Sequence, residues 1–269
     1  MRLRNIWMCA LGVTLAATVA CGGGEKAPST SGDTSSPSAT PSGLKVDESK
    51  AGGIKGTIAF EGTAPKNEPI KMNADPVCMK ANSTPQSQET YMVSSDGKAL
   101  GNVFVYVKDG LGNYIFDTPT ESVKIDQQNC RYHPHVFGLR VGQPLEIVNS
   151  DMTLHNIHAL PKGNSEFNTG QPIQGMKTMH TFTQKEVMVP FKCDVHGWMN
   201  AYVGVLDHPY FAVSDTSGKF ELKTLPAGTY TIEAWHEKLG AQTQSVTIGE
   251  KEEKEITFTF KAGGATPTN

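Results

Sequence analysis

Cys193, His196 and Met199 follow one another at intervals of three residues in Lys192-Cys193-Asp194-Val195-His196-Gly197-Trp198-Met199. A thiol, an imidazole and a thioether so spaced form the densest group of soft ligands in the chain. A further imidazole, His155, lies upstream in Asn149-Ser150-Asp151-Met152-Thr153-Leu154-His155-Asn156. Thiolate and thioether suit Cu(I), and imidazole suits both oxidation states of copper. Held rigidly, such a mixed set lets one electron come and go with little rearrangement. Other chemistries fit less well. Cys193 and His196 as a nucleophilic pair have no recognisable third group or oxyanion motif. Structural zinc prefers a closed Cys/His set and rarely takes a thioether. A two-copper centre needs a second Cys in the loop, and the loop has none.

The remaining histidines are read as structural or surface groups: His133, His135, His158, His180, His208 and His236. His158 follows His155 by three on an expected strand, and an odd offset points it to the opposite face. Met152, Met176, Met179 and Met188 fall in the same segment as Met199. Gap-filling core is their ordinary role, and a soft surface that hands over Cu(I) is the rival.

The elements that must position these ligands read as strands. Short runs rich in Val, Ile, Phe, Tyr and Thr, bounded by Gly, Pro, Asn and Asp, recur at 56–60, 102–108, 122–126, 144–149, 156–160, 179–183, 187–192 and 201–206. Four more follow at 219–223, 229–235, 244–248 and 255–260. Helical periodicity is hard to find. Such spacing predicts an all-β chain of sandwiches or barrels.

The ends read differently. Residues 1–20 form an export leader, with Arg2 and Arg4 before an apolar stretch at 6–17 that is too short to span a bilayer. The Gly-, Ser-, Thr- and Pro-rich stretch at 22–51 reads as a disordered tether, and 262–269 as a short tail. The formal charge of −3, more negative once the leader is removed, and the lack of any basic run disfavour a nucleic-acid partner. No later apolar stretch approaches membrane-spanning length.

Small residues running into Cys21 resemble the lipobox of bacterial lipoproteins. The resemblance implies lipidation at Cys21 after cleavage, and a chain of 21–51 anchored in the membrane through that lipid. The implied location is the periplasmic face of the bacterial envelope. Gly22 in place of an inner-membrane Asp favours the outer membrane. With Cys9 lost in the leader and Cys21 modified, Cys78, Cys130 and Cys193 remain. An oxidising compartment favours one disulfide, and Cys193 sits among metal ligands, so Cys78–Cys130 is the expected bridge. The rival is two separate thiols.

The C-x2-H-x2-M loop resembles the shortest ligand loops of the cupredoxins, as in amicyanin. Ile147-Val148-Asn149-Ser150-Asp151 through His155-Asn156 resembles that family's upstream strand and turn. The likeness implies a Greek-key β-sandwich holding one type 1 copper on His155, Cys193, His196 and Met199. Asn156 would tie the two ligand loops together. The downstream histidine of such proteins typically lies near the surface, which implies electron exit at the His196 edge. Trp198 is then either part of an apolar docking patch or simple packing.

Val213-Ser214-Asp215-Thr216-Ser217-Gly218-Lys219-Phe220-Glu221-Leu222 followed by Leu225-Pro226-Ala227-Gly228-Thr229-Tyr230 resembles the carboxypeptidase regulatory-like, or transthyretin-like, β-sandwich. Asp215 is expected to accept local backbone hydrogen bonds, and Gly218 and Gly228 to take positive φ. The family's first strands resemble 53–58 and 102–107. The expected order is therefore 52–117 as the start of this sandwich, 118–207 as an inserted cupredoxin domain, and 208–261 as the remainder. The rival has two consecutive domains, with 52–207 as one module. Tyr132-His133-Pro134-His135-Val136 and Ala234-Trp235-His236-Glu237-Lys238-Leu239-Gly240 also resemble elements of exported two-part proteins of this kind, without an assignable chemistry.

The expected function is electron transfer, not enzymatic catalysis, with an unidentified redox protein as partner. Copper delivery is the first rival. A structural or carbohydrate-binding module with a stabilising metal is the second.

Overall fold

The computed structural model describes residues 43–263. The leader with Cys9, the expected lipidation at Cys21 and the tether up to residue 42 lie outside the described residues, as does the tail from 264.

In chain order come β1 (Gly52–Glu61), the short β2 (Pro69–Ile70), helix α1 (Pro76–Ala81), and the short β3 (Gln86–Ser87), β4 (Met92–Val93) and β5 (Leu100–Gly101), then β6 (Phe104–Asp109). Next are β7 (Val123–Gln128), β8 (Arg131–His133), β9 (Val136–Arg140), β10 (Pro144–Asn149), β11 (His155–Ala159), β12 (Phe167–Gln171), β13 (Lys177–Thr181), β14 (Glu186–Lys192) and β15 (Asn200–Leu206). The last are β16 (Phe211–Val213), β17 (Lys219–Leu225), β18 (Gly228–His236), β19 (Gly240–Ile248) and β20 (Glu253–Lys261). The described residues are all-β apart from one six-residue helix.

Alternating strands fold into two sandwiches because each presents one apolar face. The first stacks the sheet β17-β1-β20 on the sheet β16-β6-β18-β19 around Ile54, Ile58, Val105, Ile232 and Phe258. The second stacks β13-β10-β7-β8 on β12-β11-β14-β15-β9 around Ile125, Leu145, Phe182, Phe191 and Val203. The chain leaves the first sandwich after β6 and returns at β16, which pairs antiparallel with β6. All of β7 to β15 lies between these neighbours in one sheet.

Two segments run outside the boundaries expected for them. Residues 69–82 do not stay with the first sandwich, because Met72, Cys78 and Ile70 join the core of the second. The last residues of the expected tether are held to the fold. Leu44 N donates to Asn113 O at 3.0 Å, Ile115 N donates to Leu44 O at 2.9 Å, and Lys45 pairs with Asp117.

Phe104, Tyr106, Phe211 and Trp235 of the first sandwich meet Val136, Tyr202 and Leu206 of the second. An approach this close needs a bare backbone on β15, where a Cβ on Gly204 would fall 2.2 Å from the Phe104 ring. The two unassigned motifs of the sequence meet here as well. His135 Nε2 lies 2.6 Å from Glu237 Oε1, Tyr202 Oη donates to Glu237 Oε2 at 3.3 Å, and the Trp235 and Tyr202 rings are 5.2 Å apart. Their role is to join the sandwiches.

The β16–β17 turn forms as expected, with Ser217 N and Lys219 N donating to Asp215 Oδ1 and Gly218 at φ +73°. Gly228 is not among the positive-φ residues. Its reason is space: a Cβ there would lie 3.0 Å from the Tyr230 hydroxyl, which folds back to donate to Pro226 O at 2.6 Å.

His208 is buried just after β15, its Nδ1 accepting from Tyr210 N at 3.2 Å. Burial pushes its pKa down from 6.5 to about 4. The unfolded chain therefore takes up a proton that the folded chain refuses as pH falls from the unfolded value toward the folded one. Stability from the neutral ring is complete above pH 6.5 and has dropped by roughly 2 kcal/mol at pH 5. His208→Asn keeps an acceptor for Tyr210 N without this titration. The gap in unfolding free energy between parent and variant should narrow from about pH 7 to about pH 5 in urea titrations. Parallel pH profiles would contradict the assignment.

Candidate metal centre

Three of the four expected ligands converge with defined ligand-atom positions. His155 opens β11, and Cys193 and His196 sit in the loop between β14 and β15; one ligand atom from each lies within 4.8 Å of the others. All are buried, at 0, 2 and 3% exposure. Met199 closes the same loop and is also buried. Its N donates to His196 O at 2.8 Å and its O accepts from Cys193 N at 3.2 Å, so the loop folds back on itself. His196 N also donates to Cys193 Sγ at 3.3 Å.

Asparagines shape both loops. Asn149 Nδ2 donates to Thr153 O and Gln171 O, and its Oδ1 accepts from Asp151 N, fixing the turn before His155. Asn156 Oδ1 accepts from Asp194 N at 2.8 Å and Val195 N at 3.4 Å, and lies 3.2 Å from Cys193 Sγ. That one side chain spans both ligand loops. Tyr132, from the previously unassigned motif, lies beneath and donates its hydroxyl to Asn156 O.

The imidazoles are oriented by carboxylates that sequence reasoning missed. Asp151 Oδ2 lies 2.9 Å from His155 Nε2, and Asp75 Oδ2 lies 2.9 Å from His196 Nε2. Burial works against ionisation of Asp75. The bonds from His196, Thr153 and the first α1 backbone amides outweigh it and hold its pKa at about 2. Asp151 is likewise held below its ordinary value against burial, through His155 and the Cys130 and Asn129 amides. Ionised carboxylates only accept, so each imidazole donates through Nε2–H, and in its neutral form carries its lone pair on Nδ1. The two Nδ1 atoms face each other at 2.9 Å. Two lone pairs at that separation repel unless a cation lies between them, either a proton or a metal. Cys193 Sγ stands 3.9 Å from His196 Nδ1. Burial opposes its ionisation, but bonding with both histidines and nearby amides brings the thiol down to about 6. Two nitrogen lone pairs and an available thiolate, shielded from water, fit a soft or borderline metal ion such as copper.

The outer edge of His196 is not at the surface, contrary to the expectation for it. Residues 75–78 cover it. Asp75 Oδ1 caps α1 by accepting from Val77 N and Cys78 N, while Oδ2 accepts from His196. Asp75 followed by Pro76 is a readable helix-start signal, although nothing in it tells where the helix docks. The Cys78–Cys130 disulfide is present, with Cα atoms 5.6 Å apart, and Cys78 Sγ lies 3.7 Å from His196 Nε2. Trp198 packs inward, its Nε1 donating to Cys130 O at 2.9 Å and its ring 4.9 Å from that of His196. His158 points away from the ligands toward Asp194 and Glu166.

The profile of a family described as polysaccharide lyase family 4, domain II, matches residues 181–256. No curated protein matches the chain. Among solved structures, a Cu-containing nitrite reductase (NirK) from Thermus scotoductus SA-01 is similar at 21% identity and a TM-score of 0.31, covering 33% of this chain and 23% of that one. The chain thus spans about a quarter of that enzyme's length. A mutant of amicyanin in its Cu(I) form is similar at 19% identity and TM-score 0.29, covering 33% of this chain and 86% of that one. A purple cupredoxin from Nitrosopumilus maritimus is similar at 21% identity and TM-score 0.27, covering 31% and 98%.

Replacing Asn156 with Ala strips a shared acceptor from the Asp194 and Val195 amides. The expected loss is about 1–3 kcal/mol of unfolding free energy in the metal-free protein, read from a urea titration. An unchanged midpoint would mean that Asn156 does not tie the loops.

Proposed function

We propose that the chain is a type 1 copper protein that carries single electrons between redox partners. Its leader would export it, and lipid on Cys21 would anchor it to the bacterial envelope at the periplasmic face. The observation that carries this reading is the pair of Nδ1 atoms 2.9 Å apart beside the Cys193 thiol, each ring turned inward by an aspartate on its Nε2. Copper held there would alternate between Cu(II) and Cu(I) and so pass one electron at a time. His155 and His196 would present Nδ1, Cys193 its thiolate, and Met199 its thioether. Nearly complete burial of these side chains keeps water from competing for the ion. Asn156, Asp151 and Asp75 would hold the ligands in place through both oxidation states.

Burial also bears on the rival of copper delivery. A site built for handover needs its ligands open to an incoming partner, whereas His155, Cys193, His196 and Met199 are each at most 3% exposed. With the His196 edge covered, the rim offers another approach for a redox partner. Met152, Leu154 and Val195 are exposed apolar residues next in sequence to Thr153, His155 and His196. We assign the partner's docking to that rim.

Copper-loaded protein should show an intense thiolate-to-copper charge-transfer band that bleaches reversibly on reduction. Cys193→Ser should lose the band while keeping the far-ultraviolet dichroism of the fold. A parent protein without the band would sink the type 1 assignment. A band lost within seconds to a competing chelator would favour delivery.

A further inference from the structure

The covering of His196 belongs to a closed circuit around the ligands. Asp75 accepts from His196 Nε2 through one oxygen and from Cys78 N, at 3.2 Å, through the other. Cys78 is joined covalently to Cys130. Cys130 N donates to Asp151 Oδ2 at 2.7 Å, and that oxygen lies 2.9 Å from His155 Nε2. His155 and His196 then face each other through Nδ1. Thr153 Oγ1 adds a brace, donating to Asp75 Oδ2 at 2.9 Å and so tying the upstream ligand loop to the same carboxylate. The circuit joins residues far apart in sequence: 121 positions separate Asp75 from His196, and 52 separate the two cysteines.

We infer that Asp75, held against His196 by the Cys78–Cys130 disulfide, is a positioning residue of the copper centre, and that the disulfide acts on the metal through it. The inference rests on the copper reading. Asp75 does three things that a solvent-facing histidine edge would lack. It fixes the Nε2–H tautomer, so Nδ1 always faces the ligand cluster. It adds negative charge behind the imidazole, which strengthens that ring as a donor to the more highly charged Cu(II). It also closes the path by which water or a competing ligand would reach His196. The disulfide is needed because a six-residue helix has too few internal bonds to hold its own position. Without the bridge, α1 keeps its Asp75 cap, the Thr153 brace, the bond from Asn82 Nδ2 to Asn129 O at 3.0 Å and the packing of Met72 on the second core, of which only the Asn82 bond reaches the strand pair that carries Cys130.

The tests are Asp75→Ala, and Cys78→Ala with Cys130→Ala, in the copper-loaded chain. Both variants should keep a charge-transfer band, because no ligand is touched. Both should lose copper to a chelator about 10- to 100-fold faster than the parent. The midpoint potential should rise by about 59 mV for each tenfold preferential loss of Cu(II) affinity. Combining all three substitutions should add little to either effect, since one circuit is cut twice. Glu237→Gln, which disturbs the junction between the sandwiches, should leave the potential at the parent value. In copper-free protein, the His196 Nε2–H should exchange slowly with solvent by NMR, and quickly in Asp75→Ala. Parent-like potential, copper retention and proton exchange in Asp75→Ala would overturn the inference and leave the copper reading intact. Should the cysteine variant not fold, the Asp75→Ala results decide alone.

Discussion

Two imidazole nitrogens 2.9 Å apart, each turned inward by an aspartate on the far side of its ring, are the constraint around which the second sandwich is arranged. Such an approach is repulsive unless a proton or a metal lies between the nitrogens, and it persists only where the surroundings hold both rings. Each ring is held from behind by an ionised aspartate and built into a short loop at the end of a strand. The electrostatics have one direction. Carboxylates outside fix protons on the outer nitrogens, and the inner nitrogens, with the Cys193 sulfur, become a cluster that demands a cation. A buried cluster of that composition is costly unless filled.

The fold supplies the rigidity this requires. His155 begins β11 and Cys193 directly follows β14, and these strands pair with each other through His158–Lys192 and Ala159–Phe191. The sheet therefore sets the separation of the two loops before any side chain acts. Asn156 then locks the loops to each other, and the disulfide brings α1 over them from a part of the chain that belongs between strands of the other sandwich. The junction at Gly204, Phe104 and Glu237 fixes the sandwiches to each other through β15 of the ligand-bearing sheet.

Much of this was legible in the residues. Alternating β-branched and aromatic runs give an all-β chain, because each strand must bury one face. The spacing Cys193, His196, Met199 is readable because one short loop carries all three. Cys78 and Cys130 are readable as a pair because the expected export, with Cys193 among the ligands, leaves them as the two cysteines to join. Asp75 and Asp151 were not legible as orienting groups. An aspartate looks the same in sequence whether it caps a helix, faces solvent or holds a ligand, and only its tertiary surroundings distinguish these. The buried edge of His196 was missed for the same reason: its cover comes from 121 residues away. Gly228 reads in sequence as a backbone requirement, whereas in the fold the Tyr230 hydroxyl crowds the position of its missing side chain. The motifs around His135 and Trp235 had no visible chemistry because their function is to meet each other.

X-ray absorption at the copper K edge of the loaded chain tests the central claim most directly, since it counts the atoms around the ion. The expected shell is two imidazole nitrogens and one short copper–sulfur bond, with that sulfur absent from the shell in Cys193→Ser. A shell of only nitrogen and oxygen in the parent would contradict the type 1 assignment.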